Sequence, residues 1–261
     1  MTPSANPARD AYYERMMSAE HDARGGARAP SLRYCIASTP RSGSTLLSRT
    51  LEATGLAGVP MEYLNPAFIG GWVRLHRGQP VKLAQYLADI ESRRTTANGV
   101  FGLKLHWAQV RYLAASGKQP VTDVARLAVG AHDRFILINR RDKLSQAISL
   151  HIANHTKVYH SDQLALRETK TEPAFDAASI SAHIARLFAE EADWRAYLRA
   201  RGAPCIEVFY EDLVADHGGT CRRVLDFLGL DQVDVPPPPT TKLQTIETAT
   251  FRRLYLETLG S

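Results

Sequence analysis

The run Tyr34-Cys35-Ile36-Ala37-Ser38-Thr39-Pro40-Arg41-Ser42-Gly43-Ser44-Thr45-Leu46-Leu47 concentrates chemistry in one turn. An apolar stretch meets a cluster of hydroxyls, one guanidinium and one glycine, and a second apolar run then begins. The pattern predicts a buried strand, a tight polar turn and the start of a helix. A helix start leaves backbone N–H groups unpaired at the positive end of the helix dipole, which makes it a ready anion site. Arg41 adds a full charge, Ser42, Ser44 and Thr45 add hydroxyl donors, and Gly43 lets the backbone approach a ligand closely. The ligand expected here carries a phosphate or sulfate group. A nucleoside-triphosphatase loop would read G-x-x-x-x-G-K-[ST]. Here the first Gly is missing, Ser follows Gly43 in place of Lys, and the cation comes earlier, as Arg41.

The elements that must hold this turn follow from periodicity and punctuation. Strands are predicted at Leu32–Ala37, Gly99–Leu105, Arg134–Asn139 and Pro204–Phe209. Helices are predicted at Ser44–Ala53, Phe68–Arg77, Val81–Ser92, Trp107–Ala115, Ser179–Ala200, Thr220–Leu228 and Thr250–Leu259. A further helix carries Leu144, Ile148 and Ile152, whereas Tyr159–Pro173 reads as irregular chain. Strands alternating with helices define an α/β protein, a P-loop-like three-layer sandwich with a mostly parallel central sheet. Ligands in such sheets lie beyond the carboxyl ends of the strands, where the Arg41 turn and Arg140-Arg141 both fall. Residues 1–30 are expected to be a flexible N-terminal arm, interrupted by Gly25-Gly26, in which Tyr12–Met17 has the spacing for one short helix. Residues 31–261 are expected to form a single domain.

The 261 residues allow a sizeable core. No apolar run is long enough to cross a membrane, and the N-terminus lacks the apolar stretch of a signal peptide. Three cysteines, Cys35, Cys205 and Cys221, are odd in number, and the first and second fall in strands predicted to be buried. Free thiols and a cytoplasmic location are the expectation. The net charge of +5 suits an anionic ligand; it is scattered along the chain with no nucleic-acid motif, so no nucleic acid is expected as partner. His151 and His155 share a helix face, but no Glu completes a zinc motif, and no metal is expected.

The Arg-Ser-Gly-Ser-Thr-Leu-Leu run, followed by Ala53-Thr54-Gly55 and Pro60-Met61-Glu62-Tyr63, resembles the Stf0 group of bacterial carbohydrate sulfotransferases. The founding member of that group sulfates trehalose. The likeness is strong over 34–66, moderate over 99–109 and 134–150, and weak in the final third. It implies the sulfotransferase fold, with 3'-phosphoadenosine 5'-phosphosulfate (PAPS) as sulfuryl donor and PAP as product. Arg41, Ser42, Gly43, Ser44, Thr45 and Leu46 would then form the 5'-phosphosulfate loop. A second anion site for the 3'-phosphate is implied at Arg140 or Arg141 with Ser149, and Ser145 or Arg252-Arg253 are lesser candidates. Glu62 matches the family's Pro-x-Glu-aromatic stretch and its general base. His106, in Gly102-Leu103-Lys104-Leu105-His106-Trp107, is the competing base or an acceptor contact, and Lys104 is the shared cation near the transferred group. Tyr210-Glu211-Asp212-Leu213 resembles a structural element of many sulfotransferases, with Asp212 as a helix cap. Val59 stands where the founding member has an acidic residue near the sugar, which points away from trehalose as acceptor. The resemblance also implies a homodimer that exchanges a segment, with Pro66–Gln79 placed to reach across. A P-loop kinase or nucleotide hydrolase, and a catalytically silent nucleotide-binding relative, are the rival readings.

Overall fold

Four strands form one parallel sheet in the order β2-β1-β3-β4: β1 (Leu32–Ser38), β2 (Val100–His106), β3 (Arg134–Asn139) and β4 (Cys205–Phe209). The computed structural model describes residues 6–23, 29–79, 82–166, 172–230, 232–239 and 246–260; Gly25-Gly26, Val81 at the predicted helix start and 167–171 lie outside the described residues. The register pairs Ser38 with His106 and with Ile138, and Asn139 with Phe209. The carboxyl ends of the strands therefore come level, and the segments that leave them share one edge.

Alternation along the strands divides the core in two. Tyr34, Ile36, Ile136, Ile138 and Val208 face α2 (Ser44–Ala53), α9 (Tyr210–Ala215) and α10 (His217–Leu228), joined by Leu47, Leu51, Leu213, Val224 and Leu225. Cys35, Ala37, Leu103, Leu105, Phe135 and Leu137 face the opposite layer. That layer contains α3 (Pro66–Leu75), α4 (Leu83–Arg94), α5 (Trp107–Gly117), α6 (Val121–Val129) and α8 (Ala177–Arg201). A third cluster joins α7 (Lys143–Thr156) to α8 and α11 (Ile246–Leu259). The result is helices, sheet, helices, as the alternating pattern predicts. The helix α6 has no counterpart among the predictions, although Val121, Val124, Ala125 and Ala128 fall at helical spacing.

The N-terminal segment departs from the expected flexible arm. Pro7–Met17 form α1, and Tyr12, Tyr13, Met16 and Met17 are buried. Their spacing puts four large side chains on one face, and distant residues receive them. The buried Arg94 donates to the carbonyls of Met16 at 3.1 Å, Ser18 at 3.2 Å and His21, holding the end of α1 and the turn after it. Arg74 of α3 pairs with Asp10 at 3.1 Å and Glu14 at 2.6 Å. Gly71 brings the helices together, since a Cβ there would lie 2.6 Å from the Tyr13 carbonyl oxygen. The segment expected to reach across to a partner is in its first part α3, packed on α1 of the same chain.

Two smaller expectations also change. Cys205 opens the edge strand β4 and is exposed, whereas Cys35 and Cys221 are buried; all three are free. Within Tyr159–Pro173, Ser161–Leu166 forms a 3₁₀ segment.

Candidate active site

The turn after β1 is held in an unusual conformation. Arg41 has φ +62° and Gly43 φ +88°, and a Cβ at Gly43 would lie 2.5 Å from the Tyr210 ring. Left-handed backbone at a bulky Arg costs energy and persists only where the surroundings fix it. Here Gln146 of α7 donates to Thr39 Oγ1 at 2.9 Å and to the Pro40 carbonyl at 2.7 Å. Trp194 of α8 donates to the Ser38 carbonyl at 3.0 Å. α2 starts at Ser44 with no side chain capping it, so its first N–H groups remain free for a ligand.

Arg41 is half-buried, donates to Ser149 Oγ at 3.0 Å and also reaches the Tyr159 carbonyl. Burial and the neighbouring Arg140 lower its pKa to about 10. Arg140 lies over the Tyr210 ring at 4.6 Å. Neither guanidinium has a carboxylate partner among the described residues. Two buried polar atoms beside them, Arg140 Nε and Ser42 Oγ, have no hydrogen-bond partner among the described residues. Cations pressed together with unused donors form a site for anionic oxygens.

The two adjacent arginines differ in their surroundings. Arg140 lines the cleft with Ser145 and Ser149. Arg141 is drawn the other way, to Asp212 at 2.6 Å and over the Phe209 ring at 4.0 Å. Asp212 is thus a partner of Arg141, and the cap of α10 is Asp216, which accepts from Gly219 N–H at 2.8 Å. Arg252 binds Asp142 at 2.9 Å and Arg253 binds Glu257 at 2.7 Å, and neither lines this cleft. His151 holds Ser179 Oγ at 3.0 Å, also outside it. Among the described residues no group of three His, Cys, Asp or Glu side chains stands together as metal ligands.

Glu62 faces the loop across the cleft. Met61 bridges to Leu103 of β2, with Lys104 N–H donating to the Met61 carbonyl at 3.0 Å, so Glu62 emerges beside Lys104 and His106. These two alternate residues of β2 project from the same face. Lys104 Nζ lies 3.0 Å from Glu62 Oε1 and donates to Thr45 Oγ1 at 2.9 Å. His106 Nε2 lies 3.3 Å from Glu62 Oε1, and its Nδ1 is 2.9 Å from Ser38 Oγ. Gln109 and Asn65 donate to Glu62 Oε2 at 2.8 and 3.1 Å. Burial alone would raise the Glu62 carboxyl, but Lys104 and His106 outweigh it and hold the pKa well below the ordinary range. The sequence gives no sign of Gln109, Asn65 or Gln146, since amides carry no motif. It also passes over His160, whose Nδ1 is 3.2 Å from Thr45 Oγ1.

The cleft measures about 860 Å³ and is lined by Arg41, Gly43, Ser44, Thr45, Leu46 and Arg140 on one side and Glu62, Asn65, Phe68, His106 and Gln109 on another. Arg9 and Tyr13 of α1 also line it. Val59 is buried in the core and does not line the cleft.

A parallel sheet, an arginine-bearing anion loop at its carboxyl edge and a carboxylate linked to that loop through one lysine define a group-transfer enzyme of the P-loop-like class. The family model of the Stf0 sulphotransferases matches residues 33–255, and the chain belongs to that family. It is a sulfotransferase. The trehalose 2-sulfotransferase of Mycolicibacterium smegmatis (strain ATCC 700084 / mc(2)155) is 29% identical over 234 residues, 78% of this chain and 87% of the relative. That of Mycobacterium tuberculosis (strain ATCC 35801 / TMC 107 / Erdman) is 30% identical over 235 residues, with 78% and 87% covered. Among solved structures, the sulfotransferase domain of the Synechococcus PCC 7002 olefin synthase aligns with TM-score 0.43 and 17% identity over 89% of this chain and 97% of that one. Retinol dehydratase in complex with androsterone and inactive cofactor PAP aligns with TM-score 0.39 and 15% identity, covering 94% and 68%.

Proposed function

We propose that the protein transfers the sulfuryl group of PAPS to a hydroxyl of a carbohydrate or similar small acceptor, without a metal. One observation carries the reading: Lys104 joins the buried carboxylate of Glu62 to Thr45 in the anion loop. The machinery for taking a proton from an alcohol and that for holding an anion are thereby one hydrogen-bonded unit. The donor sites fit the nucleotide. Ser42, Gly43, Ser44, Thr45 and Arg41 would hold the 5'-phosphosulfate, and Arg140 with Ser149 the 3'-phosphate; of these, Ser42 Oγ and Arg140 Nε have no hydrogen-bond partner among the described residues. When bound, PAPS supplies a sulfuryl group on a phosphate leaving group.

The residues divide the work by charge. Arg41 and the loop N–H groups stabilise negative charge that grows on the leaving side, where fixed donors act without reorganising. Glu62 takes the proton of the acceptor hydroxyl, because an alcohol is a poor nucleophile until a base removes it. Its depressed pKa makes it a weak base while Lys104 pairs with it. A shift of Lys104 toward the anionic group frees the carboxylate and raises its basicity. The 3.3 Å contact between His106 and Glu62 supports a second reading, in which His106 is the base and Glu62 orients it.

Asn65, Gln109, Tyr13 and Phe68 offer hydroxyl-bonding and ring surfaces suited to a sugar. Trehalose is the first acceptor to test, given the names of the relatives. Incubation with ³⁵S-labelled PAPS, trehalose and a panel of sugars and cell-extract glycolipids, followed by mass identification, tests the proposal. Label confined to inorganic sulfate would refute it. A homodimer and a cytoplasmic location complete the proposal; the three free thiols support the latter.

A further inference from the structure

His160 is the one histidine of the cleft with no part in the scheme above that is tied to the anion loop itself. It follows α7, and the backbone around it is fastened at several points. The Tyr159 carbonyl receives Arg41, Tyr159 N–H donates to Gln163 Oε1 at 3.0 Å, and the His160 carbonyl accepts from Gln163 N–H at 3.0 Å. The imidazole Nδ1 is 3.2 Å from Thr45 Oγ1. That hydroxyl already accepts from Lys104 Nζ at 2.9 Å. A threonine hydroxyl holds one proton, and the arrangement that satisfies all three groups has Lys104 donating to it and Thr45 donating to His160 Nδ1. The imidazole proton then sits on Nε2, for which there is no protein partner among the described residues.

We propose that His160 is a further catalytic residue: oriented by Thr45, it lends its Nε2–H to an oxygen of the transferring sulfuryl group. This rests on the PAPS reading given above. The electrostatic setting agrees with it. Burial, Lys104, Arg41 and Arg49 all disfavour the imidazolium, with Glu62 opposing them, and the net direction is well below the ordinary histidine range. A neutral donor supplies a hydrogen bond without placing another cation beside Lys104 and Arg41. It also keeps that bond throughout the neutral range, because it does not titrate there.

Three measurements on the full chain decide the matter. Long-range ¹⁵N–¹H correlation spectra of the wild type at about pH 7, assigned with His160→Gln, should show a neutral ring with the proton on Nε2; an imidazolium or an Nδ1–H form overturns the proposal. Calorimetry should find PAP affinity within about twofold of wild type in His160→Ala and His160→Gln, since PAP lacks the sulfuryl group. Release of PAP from PAPS, with water or sugar as acceptor, should fall about 10²–10³-fold in His160→Ala, the loss typical of one removed donor to developing charge, and His160→Gln should recover part of it through its amide N–H. Unchanged PAPS turnover, or a parallel loss of PAP affinity, overturns the role of His160. Failure of the wild type to bind PAP at all would instead remove the PAPS reading on which the role depends.

Discussion

Glu62 stands under opposing pulls, and they give it two separate tests. Glu62→Gln preserves size and the amide contacts but removes the carboxylate, so turnover should fall about 10²–10⁴-fold while PAP affinity survives. His106→Ala should mainly raise the apparent KM for acceptor. The reverse outcome, a nearly normal Glu62→Gln and a dead His106→Ala, makes His106 the base. The depressed Glu62 pKa also links stability to acid. The unfolded chain takes up this proton near the ordinary value of about 4.3, whereas the folded chain resists until lower pH. Stabilisation from Glu62 is therefore complete above that value and disappears as pH falls through the folded one. Melting temperatures measured from about pH 5 to about pH 3 should drop more steeply for wild type than for Glu62→Gln, and parallel curves would count against the ion pair with Lys104. At the other end of the cleft, Arg140→Ala should weaken PAP binding by about 1.5–3 kcal/mol, a charge-assisted contact. Arg141→Ala should leave it nearly unchanged, because Asp212 holds that side chain on the surface. Titration calorimetry on the two variants separates them, and equal losses would contradict the assignment.

At the level of elements, α1 is the least expected part of the structure and the most informative. Gly71→Ala forces a methyl group against the Tyr13 backbone, where the spacing is 2.6 Å. Overpacking of this kind costs about 1–3 kcal/mol. The melting temperature should fall, and, if Tyr13 meets the acceptor as proposed, acceptor KM should rise with PAP affinity intact, since Arg9 and Tyr13 of α1 line the cleft. A variant with unchanged stability would mean that α1 is loosely held. The contrast with β1 and α2 shows what a sequence reveals. Their boundaries are written locally, in a buried apolar run followed by hydroxyls and a glycine. α1 was legible only as a spacing of Tyr12, Tyr13, Met16 and Met17, because what secures it, Gly71, Arg74 and Arg94, lies far along the chain. The same limit applies within the site. The anion loop and Glu62 could be picked out by pattern, whereas the different placements of Arg140 and Arg141 depend on Asp212 and Phe209 across the sheet edge. His160 sits in an irregular segment with no motif and acquires meaning only through Thr45.

For the molecule as a whole, the family resemblance leads us to expect a homodimer, and light scattering at micromolar concentration should report twice the chain mass. A monomer would leave the cleft to be completed by one chain alone, which α1 packed against α3 makes structurally feasible. PAP affinity should be the same with and without EDTA, and a large loss on chelation would show that a metal takes part. The lining of the cleft runs from Arg9 in α1 to Thr248 in α11, far apart along the sequence. During synthesis, then, the anion loop and its strand emerge early, but the cleft is finished only once α11, which carries Thr248, has followed them. A nascent or prematurely terminated chain would hold the signature turn and yet be unable to enclose the donor. Under the PAPS reading, nucleotide capture would mark completed folding, and a ligand that binds only the finished state would also protect that state against unfolding and proteolysis.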